Sequence, residues 1–240
     1  MAEGIRLNAY ISSCGVCSRR AADKLITSGR VFVNGKNSAL GTLIGEGDEV
    51  TVDGSVIRPE NLQIIIAVNK PVGVVCTEAH FKNEVTLSMI VNYPKRLFSI
   101  GRLDKNSTGL ILMTNDGKLA DKISKSKNHF EKEYEVKVNK LITKEFLEKM
   151  REGVEIEINE KKITTRPCKV KKTGPNTFNI ILTQGLNRQI RRMCEALEFR
   201  VLSLRRIRVM NINLAGLNEG TYRRLKPEEI KELVNLTKEA

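Results

Sequence analysis

The chain has 240 residues, 40% of them hydrophobic and 29% charged. That is room for one ordinary domain plus a small one, and it excludes a disordered or fibrous protein. No apolar run reaches the roughly 18 residues that a spanning helix needs, and the opening MAEGIRLNAYISS carries no apolar targeting core, so the expectation is a cytoplasmic protein without a membrane partner. Lys and Arg outnumber Asp and Glu 41 to 28, a net charge of +13. A polyanion is the expected partner, and nucleic acid is the usual one. Aromatic residues are only 5%, with no Trp, which argues against a stacking platform for single strands. Five cysteines, Cys14, Cys17, Cys76, Cys168 and Cys194, are an odd number and read as free thiols.

In chain order, residues 5–12 suit a short helix, and Ser18 can cap a second one reaching Thr27. On the second, Ala21, Ala22, Leu25 and Ile26 share one face, while Arg19, Arg20, Asp23 and Lys24 share the other. Gly29 is a natural stop. VFVNG at 31–35 and EVTVDG at 49–54 are strands running into two-residue turns. The pattern breaks at IRPENL, and Pro59 marks a linker. The expected division is therefore 1–58 and 59–240.

Beyond the linker, LQIIIAVNK at 62–70 and GLILMTN at 109–115 read as buried strands. Asp116 can cap a helix to about Ser124. YEVKV at 134–138 alternates, with Tyr134, Val136 and Val138 on one face. Helices are expected over 143–150 and 187–197, a strand over 177–183, a long strand region over 200–214, and a last helix opened by Pro227. In the 187–197 helix, Ile190, Met193, Cys194 and Leu197 fall on one face, and Arg188, Arg191 and Arg192 on the other. Strands outnumber helices and do not alternate strictly with them. The fold class is α+β, a small α/β module followed by a domain with a mixed, mainly antiparallel sheet.

GRLDKNSTGLILMTNDG at 101–117 is the most informative stretch: a basic residue, a carboxylate and a small polar turn lead directly into a buried strand. Local chemistry alone favours an Asp104 that hydrogen-bonds its own turn over one that meets a ligand. Cys14 and Cys17 have metal-ligand spacing, but no second pair follows; His80 and His129 are isolated, and no metal is expected. Nor is there a phosphate loop of the nucleotide-hydrolase kind.

GRLDKNSTGL resembles the catalytic motif of the pseudouridine synthases. VNKPVGVVC at 68–76 resembles their Lys-Pro-x-Gly motif, KEYEVKV at 132–138 their Lys-x-Tyr-x-Val strand, and TQGLNRQIRRMCEAL at 183–197 their Gln-Ile-Arg motif. CGVCSRRAADKLITSGRVFVNG at 14–35 resembles an S4 RNA-binding domain. The order is that of the small-subunit-type branch of bacterial synthases, and NRQIRRMCEAL with RIRVMNINLAGL is most similar to the F-type large-subunit ribosomal RNA synthases.

The resemblance implies a cofactor-free isomerisation of a uridine in ribosomal RNA, most readily large-subunit RNA, with transfer RNA as a possible further substrate and a monomer as the working form. It implies Asp104 as the catalytic carboxylate, Arg191 as its ionic partner, Tyr134 against the target base, and Arg102 filling the gap left by a flipped nucleotide. Arg19, Arg20 and Lys24 are the expected RNA contacts; Lys70, Arg188 and Arg192 are further candidates, for Lys70 beside an equal reading as a solvated or structural lysine and for the two arginines beside an equal reading as a solvated basic face. The alternatives are a non-catalytic S4-type RNA-binding or ribosome-assembly protein, and a synthase acting on small-subunit RNA or transfer RNA.

Overall fold

The computed structural model describes residues 4–59, 62–77, 83–125 and 128–238; His80 lies outside them. The chain forms two compact units. One is Met1–Ile64 with the short segments 93–97 and 115–117, and the other comprises the remaining residues from Ile65 onward.

In the first unit Ile5 and Arg6 pair with Ile44 and Leu43, as strand β1 (Ile5–Arg6) against β4 (Leu43–Ile44). The expected opening helix therefore starts two residues late, as α1 (Leu7–Ser13). In α2 (Arg19–Thr27) the Ser18 hydroxyl accepts the Ala21 amide at 3.2 Å, the cap its residue type suggests. A four-stranded antiparallel sheet runs β3 (Lys36–Asn37), β2 (Val31–Val33), β5 (Val50–Val52), β6 (Ser55–Ile57). Asn34-Gly35 and Asp53-Gly54 close its hairpins, all four with positive φ as a type I′ turn demands. Leu7, Ile11, Ala22, Ile26, Val31, Val50 and Val52 form the core of this unit.

The second unit is built on a nine-stranded sheet. Its elements in chain order are β7 (Ile65–Lys70), α3 (Leu87–Val91), β8 (Phe98–Ile100), β9 (Thr108–Thr114), α4 (Gly117–Ser124), β10 (Lys132–Val138), α5 (Lys144–Glu152), β11 (Glu155–Ile158), β12 (Lys161–Thr164), β13 (Lys169–Gly174), β14 (Thr177–Leu182), α6 (Gln189–Ala196), β15 (Val201–Val209), β16 (Ile212–Asn213), β17 (Tyr222–Arg224) and α7 (Pro227–Lys238). The main strand order is β13-β14-β10-β15-β9-β7-β17, with β16 beside β15 and β8 beside β9, while β11 and β12 form a separate hairpin. Every named pair is antiparallel except β9 with β15, a parallel seam of two registered pairs, Thr108 with Arg205 and Gly109 with Arg206. This is the mixed, mainly antiparallel α+β arrangement that the pattern of elements implies.

The two halves of the sheet carry separate cores. Residues level with one another across a sheet share a face, and successive residues on a strand alternate. Val136, Val138, Val170, Phe178, Ile180 and Leu204 pack under α5 and α6 with Phe146, Met150, Ile190 and Met193. Across the seam, Ala67, Leu110 and Leu112 pack with Ile123 of α4 and Leu233 of α7. Leu110 and Leu112 alternate with Gly109, which is level with Arg206, so this second core lies on the opposite face from the first. Among the described residues no helix is long and apolar enough to cross a membrane. All five cysteines are free; Cys194 is buried in the first core and its thiol is pushed up to about 12 by desolvation.

Candidate active site

Asp104 sits in the turn that feeds the seam. The Ser107 amide donates to the Asp104 carbonyl at 3.0 Å, closing the turn directly before β9 begins. One continuous row of level residues crosses the sheet here: Val170, Ile180, Tyr134, Arg206, Gly109 and Lys70. Gly109 is required at its place in the row. A Cβ there would stand 2.3 Å from the Arg206 carbonyl oxygen and 2.7 Å from its amide nitrogen, and φ is +100°.

Lys70 is fully buried at the end of β7. Its ammonium donates to the carbonyls of Pro71 at 2.8 Å, Ser107 at 2.8 Å and Lys105 at 3.4 Å. A lysine has three donors, and here all three are used, two of them on the turn that carries Asp104. Desolvation lowers the Lys70 pKa, while Cys76, Asp104 and Glu219 oppose that shift. Of the two readings of Lys70, a phosphate contact and a structural lysine, its burial and its three backbone partners favour the structural one. The loop after β7 adds further ties, because Gly73 donates its amide to the Lys105 carbonyl at 2.8 Å and the Lys105 ammonium meets Glu84 at 2.8 Å.

Arg191 projects from α6, whose apolar face is the one read from its spacing: Ile190, Met193 and Cys194 are buried and Leu197 packs at the margin. Its guanidinium donates to the Asn106 carbonyl at 2.9 Å and to the Val201 carbonyl at 3.4 Å. Burial, then Arg188, lowers its pKa, and Asp104 acts in the opposite direction. The two groups therefore lie within electrostatic reach, but the direct hydrogen bonds of Arg191 go to backbone carbonyls, at Asn106 in the turn and at Val201 in β15, rather than to the carboxylate. The expected pairing is in this structure a clamp on the turn with the charge held nearby.

Tyr134 is half-buried in β10, two residues from Val136 and level with Arg206, and packs at the edge of the first core. Arg102, two residues before Asp104, is exposed, as is Arg188 at the start of α6. Arg192 is half-buried and has backbone partners of its own. Its guanidinium donates to the Asn187 carbonyl at 3.1 Å and to the Glu157 carbonyl, tying α6 to the β11–β12 hairpin. In the other unit Arg19, Arg20 and Lys24 are exposed on α2 while Ala22 and Ile26 are buried beneath them.

Two cations here do not stand out in the sequence. Arg206 is 2% exposed, and its Nε donates to the Leu110 carbonyl at 2.7 Å across the seam. Lys132 is only one letter of a motif, yet it lies beside Arg206 on the same strand as Tyr134. The signal that could mark them is the basic residue inside an apolar alternation, as in SLRRIRV and KEYEV.

A carboxylate on a turn held by two cations, just ahead of Gly109 in a row that also contains a half-buried Tyr134, brings together groups capable of acid, base or nucleophilic chemistry. The family model described as RNA pseudouridylate synthase matches residues 64–196, and the S4 domain model matches residues 5–50. The chain belongs to the RNA pseudouridylate synthase family and carries an S4 domain ahead of the catalytic one. The dual-specificity RNA pseudouridine synthase RluF of Escherichia coli (strain K12) is 47% identical over 234 residues, covering 97% of this chain and 79% of the relative. Ribosomal large subunit pseudouridine synthase B of Bacillus subtilis (strain 168) is 36% identical over 236 residues, covering 95% of each. A crystal structure of a pseudouridylate synthase superposes with a TM-score of 0.71 at 29% identity, covering 95% of this chain and 99% of that one.

Proposed function

We propose that this enzyme isomerises a specific uridine of large-subunit ribosomal RNA, acting in the cytoplasm as a monomer and without metal or cofactor. The observation that carries the assignment of roles is the Asp104 turn, gripped from one side by Lys70 and from the other by Arg191. A loop so over-determined keeps its carboxylate aimed, as catalysis by proximity requires. The large-subunit substrate is supported by the name of the Bacillus subtilis relative, together with matches to it and to RluF over nearly the whole chain. The word "dual-specificity" in the name of the RluF relative supports a second RNA, for which transfer RNA is the candidate.

In this reading the target nucleotide leaves the stack, because its reacting atoms are inaccessible within it, and Arg102 fills the gap. The C1′–N1 bond breaks with its electron pair leaving on the uracil. Asp104 either bonds to C1′ or removes a ribose proton. The base turns and C5 forms the new bond to C1′, which releases Asp104 in the first case and in the second returns the proton from Asp104 to the ribose carbon. The C5 proton is then lost and N1 gains one, with Tyr134 against the base throughout. Arg19, Arg20 and Lys24 hold the RNA through phosphates, and the boundary between binding and chemistry falls at 58/59.

Because the C5 proton is lost, RNA labelled with tritium at uracil C5 reports turnover directly. Transcripts of large-subunit, small-subunit and transfer RNA are offered in parallel. Release from the large-subunit transcript is expected, and release solely from the others overturns the substrate assignment.

A further inference from the structure

On one strand, two arginines spaced two apart meet opposite fates. Arg208 is neutralised: its Nε meets Glu133 at 3.0 Å and its Nη2 meets Glu131 at 2.9 Å. Arg206 is not. Its Nε goes to a backbone carbonyl, its Nη2 is buried without an acceptor, and its charged neighbour is another cation, Lys132. The Lys132 ammonium has one long hydrogen bond, to the Phe130 carbonyl at 3.3 Å. Among the described residues no carboxylate forms an ion pair with either group. Desolvation, then Arg206, pushes the Lys132 pKa down to about 8.

Two like charges brought together away from water destabilise a fold, and evolution can replace them with apolar residues of similar size at a gain in stability. Departures of this kind from the rules of packing mark functional places. The position indicates which one. Lys132 pairs with Leu182 and Tyr134 with Ile180 in unbroken register, so Lys132 and Tyr134 share a face of β10. Arg206 is level with Tyr134 on one side and with Gly109, the second residue after the Ser107 turn, on the other. Lys132 keeps part of its surface exposed, so a ligand can reach it, whereas Arg206 cannot be touched from outside.

We propose that Lys132 is a catalytic residue of this site, its ammonium receiving the negative charge that collects on the uracil oxygens while the base is detached, with Arg206 beside it as the positioning cation. The inference rests on the reading above, in which the C1′–N1 electron pair leaves on the uracil. At that moment the base is an anion, and the pair of unneutralised cations gains the partner that the folded protein withholds. Before cleavage and after C5 rejoins C1′ the base is neutral, so the interaction is strongest where the barrier lies, which is the condition for rate acceleration.

The test uses the full chain and a large-subunit ribosomal RNA transcript tritiated at uracil C5, in single turnover at saturating enzyme. Lys132→Met removes the charge at nearly constant volume. It is expected to slow release by about 100-fold with RNA affinity within about threefold, while thermal stability is equal or higher. Lys132→Arg is expected to recover part of the rate and Lys132→Gln, which keeps a donor for the Phe130 carbonyl, none of it. A Lys132→Met or Lys132→Gln variant turning over at the normal rate overturns the proposal. So does a rate loss in Lys132→Met that merely tracks a fall in melting temperature and is relieved by Lys132→Gln. If the unmodified protein releases tritium from none of the transcripts, it is the reading of the site that fails, and the Lys132 assignment falls with it.

Discussion

The cations of α2 and those around the Asp104 turn are the same residue types put to opposite physical uses. Arg19, Arg20 and Lys24 stand in solvent over a small apolar core. Charge so placed acts at long range, is screened by salt, and would hold a polyanion chiefly by releasing its counterions. Lys70 and Arg206 are buried and Arg191 is partly so; they donate to backbone carbonyls, among them those of Lys105, Asn106, Ser107 and Leu110, shortly after Asp104 in the chain. Such contacts are scarcely screened, and their direction matters more than their sum. If, as proposed, exposed charge supplies affinity and buried charge supplies aim, substitutions in the two sets should fail in different measurements.

The sharpest separation comes from Asp104→Asn. Shape is kept and the charge needed for attack or proton removal is lost. Tritium release should fall below detection while RNA affinity shifts by less than about tenfold, or 1.4 kcal/mol. Substantial residual turnover would place the chemistry on another residue. Arg191→Ala comes next. It frees the Asn106 carbonyl and removes the charge felt by Asp104, so single-turnover rate at saturating RNA should drop by about 100-fold. Arg191→Lys should recover only part, because an ammonium cannot reproduce a planar fork spanning the Asn106 and Val201 carbonyls. A normal rate for Arg191→Ala would break the idea of the clamp.

Lys70→Met should act on both stability and rate, since it leaves buried carbonyls on both sides of the turn unpaired. A loss of about 1–3 kcal/mol in unfolding free energy is expected, with a rate reduced by about tenfold and unchanged affinity for RNA. If affinity alone fell, Lys70 would belong with the exposed set after all. The mildest effect is expected from Arg19→Ala, Arg20→Ala and Lys24→Ala combined. The slope of log affinity against log salt should become shallower by roughly 0.7 to 0.9 for each phosphate that is no longer neutralised, with turnover on saturating RNA intact. An unchanged slope would remove α2 from the RNA-binding surface.

Much of this arrangement is legible in the sequence because it is local. Asn34-Gly35 and Asp53-Gly54 announce hairpins through their tolerance of positive φ, and α6 shows its buried face in the spacing of Ile190, Met193 and Cys194. Strands β12 and β13 escape a reading of the sequence because, with every residue of KKIT exposed and KVKKTG mostly lysine and small residues, they have no apolar alternation to show. The fate of Lys70 is hidden for another reason. Its carbonyl partners at 105 and 107 are far along the chain, and nothing in VNKPVG distinguishes a lysine that ends a strand in water from one that ends it in a cage. The acceptor of Arg192 at Glu157 is hidden in the same way, since it lies far back along the chain.

The missing side chain at Gly109 has a bearing on how the molecule assembles. The two halves of the large sheet, each with its own apolar cluster, meet through only two registered pairs whose partners stand nearly a hundred residues apart. Closing so long a loop for so few bonds is slow and entropically costly, which makes the seam a late event in folding. A methyl group at 109 would block that joining and, with it, the packing of Val209, Met210 and Ile212 against Ala67, Leu110 and Leu112. The expected product of Gly109→Ala is thus a chain with native-like secondary structure in each half that never completes the last step, and whose catalytic turn has no floor to rest on.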